Sequence, residues 1–256
     1  MDLEHVRVGR TGDHVTITMD RPEQRNALSL QHLQELIAAF RAVADTSATG
    51  VILAGNGPVF SAGHDFHDVA GKDLARVRHL LQTCAELMQL LHEVPQVVLA
   101  KVHGLATAAG AQLVASCDLA VAADTAGFAA PGGKGGWFCH TPMVAIARDV
   151  GRKRAAEMAL TGDVVDAPTA LAWGLVNQVV PATGLDAAAE DLLCRATRGS
   201  RASKALGKTT LHTQLGFGEP DAYRYAVEVM AGASQTPEAA EGISSFLDKR
   251  PAVWPG

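Results

Sequence analysis

The chain has 256 residues, 48% hydrophobic but only 5% aromatic, with 25 glycines, four cysteines and a formal net charge of −5 at pH 7. That length suits one large α/β domain, or a core with a small appendage, and buries a sizeable core without covalent staples. Mild acidity without a dense Lys/Arg cluster excludes a nucleic-acid footprint, and cysteines without a C-x-x-C pair exclude a zinc ribbon or disulfide framework. No apolar run reaches the ~20 residues of a bilayer span. Met1 to Arg10 carries neither an apolar signal core nor a basic transit pattern. The expectation is a reduced, cytoplasmic protein without a metal.

Val6 to Gly9 and His14 to Met19 read as paired strands, broken by Arg21-Pro22. Leu30, Leu33, Ile37, Phe40 and Val43 share a helical face behind a Ser29 N-cap, with Gly50 beyond its end. Val51 to Ala54 is a short buried strand. Leu74, Val77, Leu81, Cys84, Met88 and Leu91 then repeat at helical spacing over Asp73 to Glu93, until Pro95 stops them. Val97 to Val102 and Leu119 to Ala123 are further buried strands, with a helix over Ala106 to Ser116 between them. The alternation predicts an α/β fold of repeated ββα units. After Asp163 strand signals fade, apart from Val176 to Val180. Helices are expected over Ala167 to Trp173, Leu185 to Ala196, Arg201 to Leu215, Asp221 to Ala233 and Pro237 to Leu247. The chain divides into a core over 1–195 and a helical region over 196–256. Tyr225, Val229, Ile243 and Phe246 give the latter apolar faces that must pack on the core or on a neighbour.

Two small-residue turns carry the chemistry. Phe60-Ser61-Ala62-Gly63-His64-Asp65 follows one buried strand, and Gly104 to Asp118 follows another and runs into an apolar helix. Each turn can aim a backbone N–H at one point, and two such donors hold a carbonyl oxygen that becomes negative during reaction. This points to acyl chemistry. Other nucleotide and hydrolase signatures fail: there is no G-x-S-x-G, and Gly207-Lys208-Thr209 has Ala202 where a P-loop needs glycine.

Arg21-Pro22 with Asn26-Ala27-Leu28, the two turns, Phe128 to Pro131, Gly174-Leu175-Val176 before Val179-Val180-Pro181, and Glu241-Gly242 to Lys249 occur in this order. As a set they resemble the crotonase superfamily, the enoyl-CoA hydratase/isomerase family, over essentially the whole chain. Ala109 to Val121 and Phe138-Cys139 look most like one subgroup of it. The resemblance implies a crotonase (ClpP-like) spiral of ββα units followed by helices that build a homotrimer or a dimer of trimers. It implies an acyl-CoA thioester as substrate, with coenzyme A part of that substrate and no separate cofactor. By position, the two oxyanion N–H groups belong to His64 and Ala109. The adenine and pantetheine arm falls along Arg25 to Ala27 and Ala62 to Asp65. Phe246 and Lys249 lie on a helix that approaches coenzyme A from a neighbouring subunit.

One departure bears on mechanism. The two glutamates that hydratases of the family use fall at Gln112 and Gly132. Glutamine cannot take a proton at neutral pH, and a missing general base costs ~10²–10⁴-fold. His140, within Trp137-Phe138-Cys139-His140-Thr141-Pro142, is the substitute acid/base candidate; the alternative is a pocket-wall histidine. Gly132, Trp137 and Phe138 shape the acyl pocket, and Pro131 to Gly136 reads as a mobile loop that admits acyl groups or simply as a flexible turn. The His64 ring is expected to point away from the acyl carbon. Asp65 is expected to cap the next segment, Asp118 to be structural, and His67 and Asp68 to line the acyl channel or simply begin a solvated helix. Cys139 is a nucleophile only if His140 lowers its pKa, and Arg25 and Lys249 either pair with phosphates or face solvent. Two function classes stay open: an acyl-CoA enzyme with atypical acid/base groups, and an acyl-CoA-binding pseudoenzyme.

Overall fold

The structure, a computed structural model, describes residues 3–255. β1 (Val6–Thr11) and β2 (His14–Met19) form a hairpin. They are followed by α1 (Leu30–Ala44), β3 (Gly50–Gly55), α2 (Leu74–Glu93), β4 (Val97–Val102), β5 (Ala106–Thr107), α3 (Ala109–Ser116), β6 (Leu119–Ala123) and β7 (Gly127–Ala129). α4 (Pro142–Val150), α5 (Arg152–Thr161), β8 (Val165–Asp166), α6 (Ala167–Trp173), β9 (Gln178–Val180) and α7 (Leu185–Thr197) complete the core. α8 (Arg201–Gln214), α9 (Glu219–Ala233) and α10 (Pro237–Leu247) form the C-terminal region. α7 runs two residues past the 195/196 division. The N-caps work as read: Ser29 accepts from the His32 N–H and Asp73 from that of Arg76.

The large sheet has the order β1-β2-β3-β4-β6-β9, antiparallel at β1/β2 and parallel elsewhere. Its strands are near-continuously apolar because both faces are covered. Val51, Leu53, Val98, Ala100, Ala120 and Ala122 face the main core, which includes buried residues of α1, α2 and α3. Ile52, Ala54, Leu99, Val121 and Ala123 face Leu185, Ala189 and Leu193 of α7. A second, smaller ladder stacks the connections: Leu28 pairs with His64, Ser61 with Ala106, Ala106 with Phe128, and Phe128 with Val165. β2, β3, β4 and β6 are each followed by a short second strand or bridge and then a helix, which is the expected ββα spiral.

Three expectations shift. The helix over Ala106 to Ser116 starts at Ala109, because Ala106 and Thr107 are drawn into the small ladder as β5. The buried stripe of α2 runs through Leu80, Cys84, Leu87 and Leu91, while Leu74 is exposed, because the first turns of α2 project past the core. α4 and α5 were not read from the sequence at all.

α8 is tied to the sheet by one carboxylate. Asp118 accepts from the Val98 N–H at 2.8 Å, the Lys208 ammonium at 2.8 Å and the His212 ring at 3.0 Å, as its structural reading requires. Lys208 is buried and also donates to the Gln96 carbonyl at 2.8 Å. Beyond α8, α9 buries no residue and α10 only Ser245. Leu211, Tyr223, Val227, Met230, Ile243, Phe246 and Leu247 are exposed.

His32 sits fully buried in the first turn of α1 and donates from Nδ1 to the Ala27 carbonyl at 3.1 Å. Burial pushes its pKa down to about 4, against the opposing pull of that carbonyl. Because the folded-state value lies below the unfolded one, the unfolded chain binds the extra proton first. Stability therefore falls as pH drops from ~6.5 toward 4, by about 3 kcal/mol from this group. Urea unfolding at pH 7 and pH 4.5 is expected to show that loss, and His32→Gln to flatten the dependence.

Candidate active site

Two consecutive left-handed residues, Arg25 (φ 53°) and Asn26 (φ 50°), bend the chain before α1. Asparagine tolerates this conformation, and here its amide binds what surrounds it. Asn26 Oδ1 accepts from the Arg21 N–H at 2.9 Å. Its Nδ2 donates to the carbonyls of Asn56 (2.8 Å), Val59 and Phe60 (both 3.1 Å). Its own carbonyl accepts from the Ser61 hydroxyl at 2.9 Å. The bend is thereby laced to the segment after β3. The Ala62 N–H donates to the Arg25 carbonyl and the Leu28 N–H to that of Gly63.

Asp65 lies beneath this turn. It caps the short helix over Phe66–Asp68, accepting from the His67 N–H at 3.0 Å and ring at 2.8 Å, and pairs with buried Arg21 at 3.2 Å. Burial alone would raise its carboxyl; the His67 bonds and the Arg21 guanidinium outweigh that and hold it below its ordinary value.

The second turn meets the first backbone to backbone. Thr107 N–H donates to the Ser61 carbonyl at 2.9 Å. Ala108 has φ 50° and ψ −116°, a strained conformation for alanine costing about 1–3 kcal/mol. It is held by its N–H on Ala129 and its carbonyl under the Gln112 N–H. Gly63 (φ 84°) sits so close that a Cβ there would lie 2.9 Å from the Thr107 oxygen, 3.0 Å from Ala108 Cβ and 3.2 Å from Ala109 N. A Cβ on Gly110 would lie 2.4 Å from the Ser61 oxygen. Among the described residues, the N–H groups of His64 and Ala109 donate to no acceptor.

Beside these turns opens a cavity of about 470 Å³. Ala62, His64, Thr107 and Ala108 form one wall. Phe66, Leu81, Pro131, Gly132 and the run from Trp137 to Pro142 form the rest. The Trp137 ring lies 6.2 Å from those of both His64 and Phe66, and Phe138 lies 5.1 Å from His140. His140 is exposed at the rim.

The family model described as Enoyl-CoA hydratase/isomerase matches residues 12–256. The chain belongs to the enoyl-CoA hydratase/isomerase family. A Xenopus laevis relative named Enoyl-CoA hydratase domain-containing protein 3, mitochondrial, is 42% identical over 242 residues, covering 93% of this chain and 82% of its own length. The crystal structure of human enoyl Coenzyme A hydratase domain-containing protein 3 superposes with TM-score 0.94 at 38% identity, covering 98% of this chain and 100% of that one. An enoyl-CoA hydratase structure from Mycobacterium smegmatis gives 0.94 at 40% identity, over 98% and 99%. These neighbours establish the crotonase fold, and the subgroup resemblance read from Ala109 to Val121 points the same way. They also correct one expectation: relatives spanning 93% of the chain, from frog, rat and human, are named mitochondrial, so the cytoplasmic reading does not stand.

Within this enoyl-CoA hydratase/isomerase chain, the structure gathers Ala62, His64, Gly132, Trp137, Phe138 and His140 around one cavity, with Ala109 N behind Gly63. Other candidates lie elsewhere. Gln112 is buried in α3, its Oε1 has no donor, and it does not line the cavity. Arg25 is exposed and Ala27 half-buried on the outer side of the first turn. His67 is exposed and Asp68 accepts from the Leu30 N–H at 2.8 Å; neither reaches the cavity. Phe246 and Lys249 are exposed on and just after α10, away from the cavity in this chain. The His64 ring has both nitrogens shielded and without partners, and burial lowers its pKa. Burial likewise raises the Cys139 thiol, which removes it as a nucleophile. Phe66 and Leu81 were missed as wall residues: one directly follows the first turn, and the other was counted as core.

The segment read as a mobile loop is a closed turn. Lys134 N–H donates to the Pro131 carbonyl, and the N–H groups of Gly135 and Trp137 to that of Gly132. A Cβ on Gly132 would lie 2.2 Å from the Trp137 oxygen and 2.8 Å from Cys139 Sγ. Gly132→Ala is therefore expected to destabilise by about 1–3 kcal/mol, lowering Tm by about 3–10 °C in a thermal scan. Gly132→Glu is expected to gain no crotonyl-CoA hydration.

Proposed function

We propose that this protein binds an acyl-CoA thioester and stabilises its enolate with the N–H groups of His64 and Ala109. The observation that carries the reading is the contact of the two turns, which leaves both donors without acceptors next to an apolar cavity. Donors fixed by the fold need no reorganisation as charge develops on the thioester oxygen. The coenzyme A arm lies along Arg25 to Ala27 and Ala62 to Asp65. Asp65 supports that turn from beneath rather than touching the ligand, since its oxygens are taken by Arg21 and His67.

Among the described groups lining the cavity, His64, Cys139 and His140 are the side chains that can exchange a proton. The first has shielded nitrogens and the second a raised thiol pKa, which leaves His140 as the acid/base group. One imidazole suffices for proton transfer within a substrate: it takes the α-proton of a 3-enoyl thioester, the electron pair moves onto the carbonyl oxygen, and the same proton returns at the γ-carbon to give the 2-enoyl isomer. Hydration across the double bond needs a water activated as well, and Gln112 and Gly132 supply no carboxylate for it. His140→Ala is expected to lower isomerase kcat by ~10²–10⁴-fold with acyl-CoA affinity retained. Robust hydration of crotonyl-CoA, abolished by Gln112→Ala, would overturn the mechanism. Buried Gln112 and filled Gly132 also favour the second reading, a pseudoenzyme that binds acyl-CoA; affinity without turnover on 2-enoyl and 3-enoyl thioesters would select it.

The same proposal extends to assembly. Helices 201–247 bury their exposed apolar residues between three copies, singly or as a dimer of trimers, bringing Phe246 and Lys249 to a neighbour's coenzyme A site. Light scattering on the purified protein is expected to give three or six chains per particle, and Met230→Asp to shift the mass toward one.

A further inference from the structure

The cavity walls carry no fixed charge. Among the described residues, no Lys, Arg, Asp or Glu lines them. The lysine of the adjoining turn, Lys134, does not line the cavity and is engaged with Asp163 at 2.6 Å. The Cys139 thiol and the His64 ring are held neutral by burial. Opposite the turns the wall is aromatic, with Trp137 set between His64 and Phe66 at tilts of 43° and 58° and Phe138 next to it in sequence. The polar side chains on the lining are His64 and Thr107 at the turns and, beyond them, Trp137, Cys139, His140 and Thr141, none of them a fixed charge.

We infer that this cavity selects an uncharged, apolar acyl group and discriminates against chains ending in a carboxylate, with Trp137 and Phe138 as the specificity-determining side chains. The inference rests on the acyl-CoA reading above. An alkyl or aryl group leaving water for this wall gains about fourfold in affinity per buried methylene. A terminal carboxylate sheds its hydration on entry and meets no cation and few donors, which costs on the order of 100-fold or more. His140, at the exposed rim, meets such a carboxylate only where water already solvates it.

The test is calorimetric competition on the wild-type protein with coenzyme A, hexanoyl-CoA and adipyl-CoA, the last two matched in chain length. Hexanoyl-CoA is expected to bind at least ~10-fold tighter than coenzyme A, and adipyl-CoA no tighter than coenzyme A. Trp137→Ala and Phe138→Ala are expected to narrow the ratio between hexanoyl-CoA and coenzyme A affinities, both measured on the same variant, toward one. Adipyl-CoA binding as tightly as hexanoyl-CoA overturns this inference and leaves the acyl-CoA reading standing. Failure of coenzyme A and of both thioesters to bind overturns the two together.

Discussion

The site depends on two backbone turns touching where no side chain intervenes. Gly63 and Gly110 are the residues at that contact, and a Cβ on either would press on main-chain atoms of the opposite turn. Contact of this kind belongs to the fold, because it follows from which segments pair in the small ladder. Asn26 holds the first turn through its amide, carbonyl and left-handed backbone. The bond from Ala108 to Ala129 holds the second in a conformation alanine does not choose on its own. The surrounding core keeps that strained arrangement in place.

A second constraint joins this core to the C-terminal helices. Asp118 stands at the entry to β6 and binds β4 through the Val98 N–H, and α8 through Lys208 and His212. The Lys208–Asp118 pair is buried, so its value lies in fixing one geometry: an unpaired charge left at either end is strongly disfavoured. The helices that follow expose apolar surface on a segment whose attachment point is the strand end leading from the second turn. The exposed apolar helices and the second turn are therefore mechanically linked through Asp118, though far apart along much of the sequence.

Much of this was legible in the sequence, and the exceptions have physical reasons. Strand runs, caps and stops were readable because buried parallel strands are continuously apolar and Ser29 and Asp73 are strong N-caps. α4 and α5 were not, since each buries only three residues and α5 opens on Arg-Lys-Arg, which weakens the apolar stripe. The position of Gln112 was legible, but not that α3 buries it outside the cavity lining. The role of Asp65 was legible because capping is local. The closure of 131–137 was not, because it comes from backbone bonds that any composition can make, and glycines advertise flexibility whether or not the fold uses it.

Gly132 limits what a substitution can do here. The Trp137 carbonyl and the Cys139 sulfur occupy the volume that any side chain at that position would need. The 131–139 segment would first have to take another path, so replacing this one residue does not give the cavity a carboxylate. The limit is set by main-chain packing and not by residue identity alone.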